Sequence, residues 1–412
     1  MIRGVSGVAL AASFALGSCS SSSTSGAALS PVLPATRGAA SSSGSVGDAY
    51  SFLKMMMDKY ATGSTLRLVQ SFDGGPLRGF KDAVTYDDAL LVDALLAEGA
   101  TDDVSRAEVV GSAFLYVQAH DKAGDGRLRA AYAPVPLLDP KDVKVDDNTS
   151  DTGNMAWVGQ ALAQIYERTS NPAYLNGAIA IAQWLQKNTY DTRGAGGYTG
   201  GDNARGGKIT WKSTEHNIDI YAFFTMLARE SGESQWTVDA AWAERFVASM
   251  WAPNQHRFLV GTGNDGVTPN RSFKPEDVNS WSYLAFANPQ WAAAPSWDVK
   301  NLAVTKGGFS GVSFCSGDRS GVWFEGTAHL ADALTLRNAP GDSARAQAYL
   351  DDVRYAQTNG PNNDGLGIIA ASKNGLRTCD GDKYYASLHV GATAWYILAA
   401  GGVNPFVLLG AP

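Results

Sequence analysis

The run Trp211-Lys212-Ser213-Thr214-Glu215-His216-Asn217-Ile218-Asp219 gathers side chains able to donate a proton, hold a polar ligand and stack on a flat face. Ser213 or Thr214 is placed to cap a helix, its hydroxyl accepting an unpaired backbone N–H. Glu215 and Asp219 are then four apart and share one helix face. Carboxylates stacked in this way repel each other. The repulsion makes sense where one carboxyl must keep its proton near neutral pH and act as a general acid. The plainer explanation is a first turn that sets acids at the positive end of a helix dipole.

Three further segments offer acids. In Trp323-Phe324-Glu325-Gly326 the glycine permits close approach, Trp323 offers a stacking face, and Glu325 is a candidate base or second acid. A helix-start Glu bonded to a backbone N–H accounts for it equally simply. Asp87 and Asp88 are adjacent and point to different faces. Thr85 and Asp88 fit a capping box, which explains Asp88 structurally and leaves Asp87 as the candidate base or hydroxyl ligand. Asp277 follows Pro275-Glu276, an ordinary helix opening, and is a weaker candidate. His389 falls on a small-residue helix spanning 386–400, where a lone histidine is more often core. Tyr86, Trp157, Trp211, Trp281 and Trp323 are candidate stacking platforms, although single aromatics usually belong to the core. Asn154, His216 and Asn217 complete the polar candidates.

These residues need elements to bring them together. Helical periodicity recurs at roughly 48–61, 83–98, 103–119, 152–169, 173–187, 213–230, 235–250, 276–287, 296–303, 322–337, 342–357 and 386–400. Every second helix is apolar nearly all round and opens with polar or aromatic residues; those between are amphipathic. Such alternation predicts an inner ring of six helices wrapped by six outer ones, an all-α (α/α)6 toroid. Its inner helices present their first turns at one rim, where the candidates above collect.

Composition bounds the rest. The chain has 412 residues, 45% hydrophobic, with net charge −7. An acidic balance without a Lys/Arg cluster argues against nucleic acid. Arg3, an apolar core from Val8 to Leu16, and Leu16-Gly17-Ser18-Cys19 form a secretory signal over 1–19 that looks like a bacterial lipobox, with Cys19 as the lipidated residue. Residues 20–47 are Ser/Ala-rich and predict a flexible linker, leaving 48–412 as one catalytic domain. The expected place is the bacterial envelope, anchored to the membrane through that lipid. Cys315 and Cys379 remain; in an exported chain they form a disulfide if their loops meet. No Cys/His spacing suggests a metal, and no cofactor is implied.

The toroid with acids and aromatics at its rim resembles the (α/α)6 six-hairpin glycosidase-like superfamily. More closely, it looks like a group of exported bacterial proteins named as glycosyl hydrolases. The resemblance rests on Thr85-Tyr86-Asp87-Asp88-Ala89-Leu90, on 213–219, on Trp323-Phe324-Glu325-Gly326-Thr327-Ala328, and on His389-Val390-Gly391-Ala392-Thr393-Ala394-Trp395 with Asn404-Pro405-Phe406. That group carries Asn where this chain has Asp88, so the resemblance speaks for Asp87 of the two. It implies hydrolysis of a polysaccharide or oligosaccharide, with Glu215 as acid and Glu325 or Asp87 as its counterpart. A polysaccharide lyase, a sugar epimerase and a non-catalytic glycan-binding lipoprotein stay open as alternatives.

Overall fold

The computed structural model describes residues 44–135 and 143–410. The lipobox, Cys19 and residues 20–43 of the expected linker lie outside the described residues. The first helix, α1, is Val46–Asp58, capped by the Ser45 hydroxyl accepting from the Asp48 N–H at 3.0 Å. Residues 46 and 47 therefore belong to the helical body and not to the linker.

Twelve α-helices follow the expected order among the described residues. After α1 come α2 (Thr85–Glu98), α3 (Thr101–Ala119), α4 (Thr152–Thr169), α5 (Pro172–Thr189) and α6 (Thr214–Ser231). Then come α7 (Ser234–Ser249), α8 (Asp277–Phe286), α9 (Ala294–Asn301), α10 (Phe324–Arg337), α11 (Asp342–Asn359) and α12 (Val390–Gly401). Helices α2, α4, α6, α8, α10 and α12 each pack on the next, and α12 packs back on α2, closing an inner ring. The remaining six lie outside, α1 against α12 and each later one against the inner helix before it. The fold is the (α/α)6 toroid.

Burial explains which helix goes where. Helix α12 is buried at every position from Val390 to Ala399, whereas α11 buries one side only. An element apolar all round is stable only when surrounded.

The ends of the helices set where a site can form. Every inner helix ends in a left-handed residue: Gly99, Ser170, Gly232, Ala287, Asn338 and Gly402. No outer helix does. A left-handed C-terminal residue satisfies the last carbonyls and reverses the chain sharply. At Gly99-Ala100, Ser170-Asn171 and Gly232-Glu233 it leads into the next helix almost at once. The long connections are thus all at the opposite end, over the first turns of the inner helices. They carry small antiparallel sheets of two or three strands. Two of these connections, 302–323 and 360–389, are joined by the Cys315–Cys379 disulfide, with 6.3 Å between Cα atoms.

Two expectations about local structure change. Neither Ser213 nor Thr214 caps α6 with its side chain: the Ser213 hydroxyl is buried without a partner, and Thr214 donates to the Leu259 carbonyl at 2.6 Å. The incoming chain is instead fixed by backbone pairing to residues 260–262. The Thr85–Asp88 capping box is also absent. Thr85 donates to backbone carbonyls of residues 129 and 130, and Asp88 accepts from the Val69 N–H at 2.9 Å. Long-range partners outcompete local caps where loops are packed over helix ends.

Candidate active site

A narrow cavity, with about 50 Å³ of space for water-sized groups, lies over the first turns of the inner helices. Eleven of the candidates from the sequence line it: Tyr86, Asp87, Asn154, Trp157, Glu215, Asp219, Asp277, Trp281, Trp323, Glu325 and His389. Asp88, Trp211, His216 and Asn217 stand behind the lining. Asp88 ties down the Val69 loop. Trp211 is buried beside His216, their ring centroids 5.6 Å apart. The Asn217 amide accepts from the Tyr198 N–H at 2.8 Å and donates to the Tyr198 carbonyl at 3.0 Å. Helix α6 thus splits its chemistry: Glu215 and Asp219 face the cavity, while His216 and Asn217 hold the wall.

On the α6–α8 side, carboxyls crowd together with few donors. Glu215 is half-buried and opens on the cavity. Burial, then Asp277, Asp219, Asp151 and Asp380, hold its pKa well above the ordinary glutamate value. Asp219 is wholly buried, and neither of its oxygens has a hydrogen bond. Burial, Asp151 and Asp277 raise it, and the Trp157 indole opposes them. Asp277 is raised to about 7 by burial, and Asp380 and Glu325 add to this against the Val278 N–H, which it accepts at 2.6 Å. His216 relieves little of this. Its Nε2 lies 3.4 Å from Asp151, but burial pushes the imidazole down to about 3, so it carries no charge.

On the α10–α12–α2 side, the acids are held by hydrogen bonds. Tyr86 donates to Glu325 Oε1 at 2.8 Å, and the Trp395 indole donates to the Tyr86 oxygen at 2.9 Å. His389 Nε2 is 3.1 Å from Asp87 Oδ1, and its Nδ1 is 3.6 Å from Glu325 Oε2. The Ala392 N–H donates to that Nδ1 at 3.3 Å, which assigns the proton of the neutral ring to Nε2, toward Asp87. Burial disfavours the charged ring, but Asp87 and Glu325 outweigh it and raise the His389 pKa. Glu325 is raised to about 7 by burial, with His389 pulling it down and Asp87 pushing it up.

The chain is built to permit this network. His389 lies on the short strand Leu388–His389, just before α12 and not within it. That strand pairs with Phe72–Asp73, and the Phe72 ring stacks on the imidazole at 4.1 Å. A Cβ on Gly391 would sit 2.4 Å from Asp87 Oδ1, so the Asp87–His389 pair needs glycine there. Gly326 admits the Trp323 ring, which a Cβ would meet at 2.1 Å. The close approach expected at Gly326 is made by its own neighbour.

The sequence reading missed Phe314, His329, Asp380 and Tyr384, which also line the cavity. His329 is four residues after Glu325, a spacing that placed it on the same face. Its Nδ1 is 3.2 Å from the buried Glu276 and its Nε2 is 3.8 Å from Glu325. Asp380 and Tyr384 carry no local signal, because the disulfide brings their loop over the rim. Among the described residues no group of three or more His, Cys, Asp or Glu is arranged to hold a metal ion.

No family model matches the chain, and no curated protein is significantly similar to it. Its likeness is to solved structures. Cellobiose 2-epimerase from Bacillus thermoamylovorans B4167 superposes with a TM-score of 0.66 at 10% identity, covering 86% of this chain and 98% of that one. A family 76 glycoside hydrolase from a bovine Bacteroides thetaiotaomicron strain gives 0.56 at 14% identity, covering 86% and 76%. A glycosidase variant in complex with glucose gives 0.58 at 12%, covering 87% and 95%. At these identities the likeness establishes the toroid, and function has to be argued from the cavity.

Proposed function

We propose that the protein is a carbohydrate-active enzyme, a glycoside hydrolase that cleaves a poly- or oligosaccharide in this cavity. One observation carries the reading. One aromatic-walled cavity holds a carboxyl, Glu215, whose pKa is raised by burial and by neighbouring acids, and a second carboxyl oriented by Tyr86 and His389. Hydrolysis of a glycosidic bond needs that division of labour. Glu215 protonates the leaving oxygen. Glu325, ionised, takes a proton from the attacking water, and Asp87 orients it through His389. Trp157, Trp281, Trp323 and Tyr384 supply faces for the sugar rings. The solved structures of the same fold include glycosidases, which supports the reading.

The test is release of new reducing ends from a broad glycan panel by the purified protein, beside Glu215→Gln and Glu325→Gln. Turnover that falls at least about 100-fold in both variants supports hydrolysis. Turnover unchanged in both overturns it.

A second reading is sugar epimerisation. It is favoured by the two imidazoles, His329 and His389, that flank Glu325. Moving a C–H proton between the faces of a sugar needs two acid/base groups. An epimerase leaves the number of reducing ends unchanged and converts one sugar into its isomer, so product analysis separates the two. We further propose export with Cys19 lipidated. The Cys315–Cys379 disulfide supports an oxidising compartment. Cys19→Ala should then release the protein from the membrane fraction.

A further inference from the structure

The cavity lining holds six carboxyls, Asp87, Glu215, Asp219, Asp277, Glu325 and Asp380, and among the described residues no Lys or Arg. On the α10–α12–α2 side the acids have His389 and Tyr86. On the other side Glu215, Asp219, Asp277 and Asp380 face one another without a cation. Two further observations point to a ligand there. Asp219 is completely buried with no hydrogen bond of ordinary geometry to either oxygen, the Trp157 indole being near but misaligned, and the amide nitrogen of Asn154, a residue 2% exposed, has no acceptor. Both residues line the cavity. A ligand that donates to the carboxyls and accepts from Asn154 completes them.

We propose that the α6–α8 half of the cavity is a subsite for a sugar bearing a free amino group, with Asp219, Asp277 and Asp380 around the ammonium. The assignment rests on the reading that the cavity binds sugar, and it names which sugar. An ammonium is a compact cation with three donors, matched to several convergent carboxylates. A uronate or a sulfated sugar would add negative charge to a cavity that already has too much. The cation also suits the chemistry. Neighbouring acids hold the Glu215 proton tightly, and an ammonium among them brings its acidity back toward the working pH.

Asp380 is the adjustable member. It is half-buried and accepts from the Thr378 hydroxyl. It follows Cys379, whose φ of 69° is a left-handed conformation that an L-residue holds only when its surroundings impose it. The disulfide to Cys315 supplies that restraint.

The experiment is calorimetry on the full chain with three tetrasaccharides of one β-1,4 linkage: glucosamine, glucose and N-acetylglucosamine oligomers. The glucosamine tetramer should bind at least about tenfold more tightly than either neutral one, as expected for charge-assisted bonds. Asp380→Asn, and separately reduction of the disulfide, should cut that preference, read as the ratio of the two affinities in the same preparation, to below about threefold. Equal binding of all three overturns the inference even if the glycan is cleaved. Discrimination without cleavage upholds it and defeats hydrolysis instead. Binding of none overturns the inference together with the sugar-binding reading.

Discussion

The two sides of the cavity hold four acids and two, and they surround those acids differently. On the α6–α8 side, Glu215, Asp219 and Asp277 are crowded and raised by burial and by one another. On the α10–α12–α2 side, Glu325 and Asp87 are tethered to Tyr86 and His389. Burial raises the acids on both sides; at Glu325 the His389 imidazole and the Tyr86 hydroxyl pull back against it and leave the carboxyl at about 7. On the proposed reading, this difference is what would let one ring of helices hold a proton donor and a proton acceptor in a single cavity. The folding code for the two sides differs as well. The crowded side comes from two neighbouring inner helices, α6 and α8, plus a loop, while the tethered side needs residues separated by some 300 positions to meet.

The largest effect that would break this contrast is at Glu215. Glu215→Gln should lower turnover by about 10²–10⁴-fold with substrate binding retained, measured by reducing-end release and calorimetry. Next comes the tethered side. A base must be ionised, so kcat/KM should rise with pH through about 7 as Glu325 deprotonates, then fall once pH passes the raised pKa of Glu215. His389→Gln removes the group that pulls Glu325 down, so the rising limb should move to higher pH and kcat should drop roughly tenfold. A limb that stays put breaks the comparison.

Two smaller effects are on stability. Asn217→Ala removes three buried hydrogen bonds and should cost roughly 1–3 kcal/mol in a denaturant titration, with KM unchanged. Asp277 is raised on folding, so the native state binds a proton that the unfolded chain loses. Stability from this group is therefore present at acid pH and is lost as pH rises from about 4 to about 7. Asp277→Asn should then stabilise the protein at pH 8 by roughly 1–2 kcal/mol and leave it little changed at pH 4, read by thermal melting.

The toroid was legible because burial leaves a periodic trace: apolar helices such as α12 alternate with one-sided ones such as α11. The inner first turns were legible for the same reason, and they delivered eleven lining residues. What failed was local reasoning where loops pack on helix ends. Thr214, Thr85 and Asp88 all exchanged short-range caps for partners farther along the chain. His389 read as helical because the small residues after it are; its pairing with Phe72 is a tertiary fact. Asp380 and Tyr384 were invisible, since nothing local says which residues of the long 360–389 connection enter the cavity. His329 was visible and passed over, four residues from Glu325 on the same face.

The most direct test of the division of labour is the leaving-group dependence of the two variants. Once the panel has identified a cleaved sugar, its dinitrophenyl glycoside is compared with the natural glycan. A dinitrophenolate leaves without protonation, so Glu215→Gln should regain most of its lost rate on that substrate and Glu325→Gln should not. Equal losses for both variants on both substrates, or rescue of Glu325→Gln alone, would contradict the account.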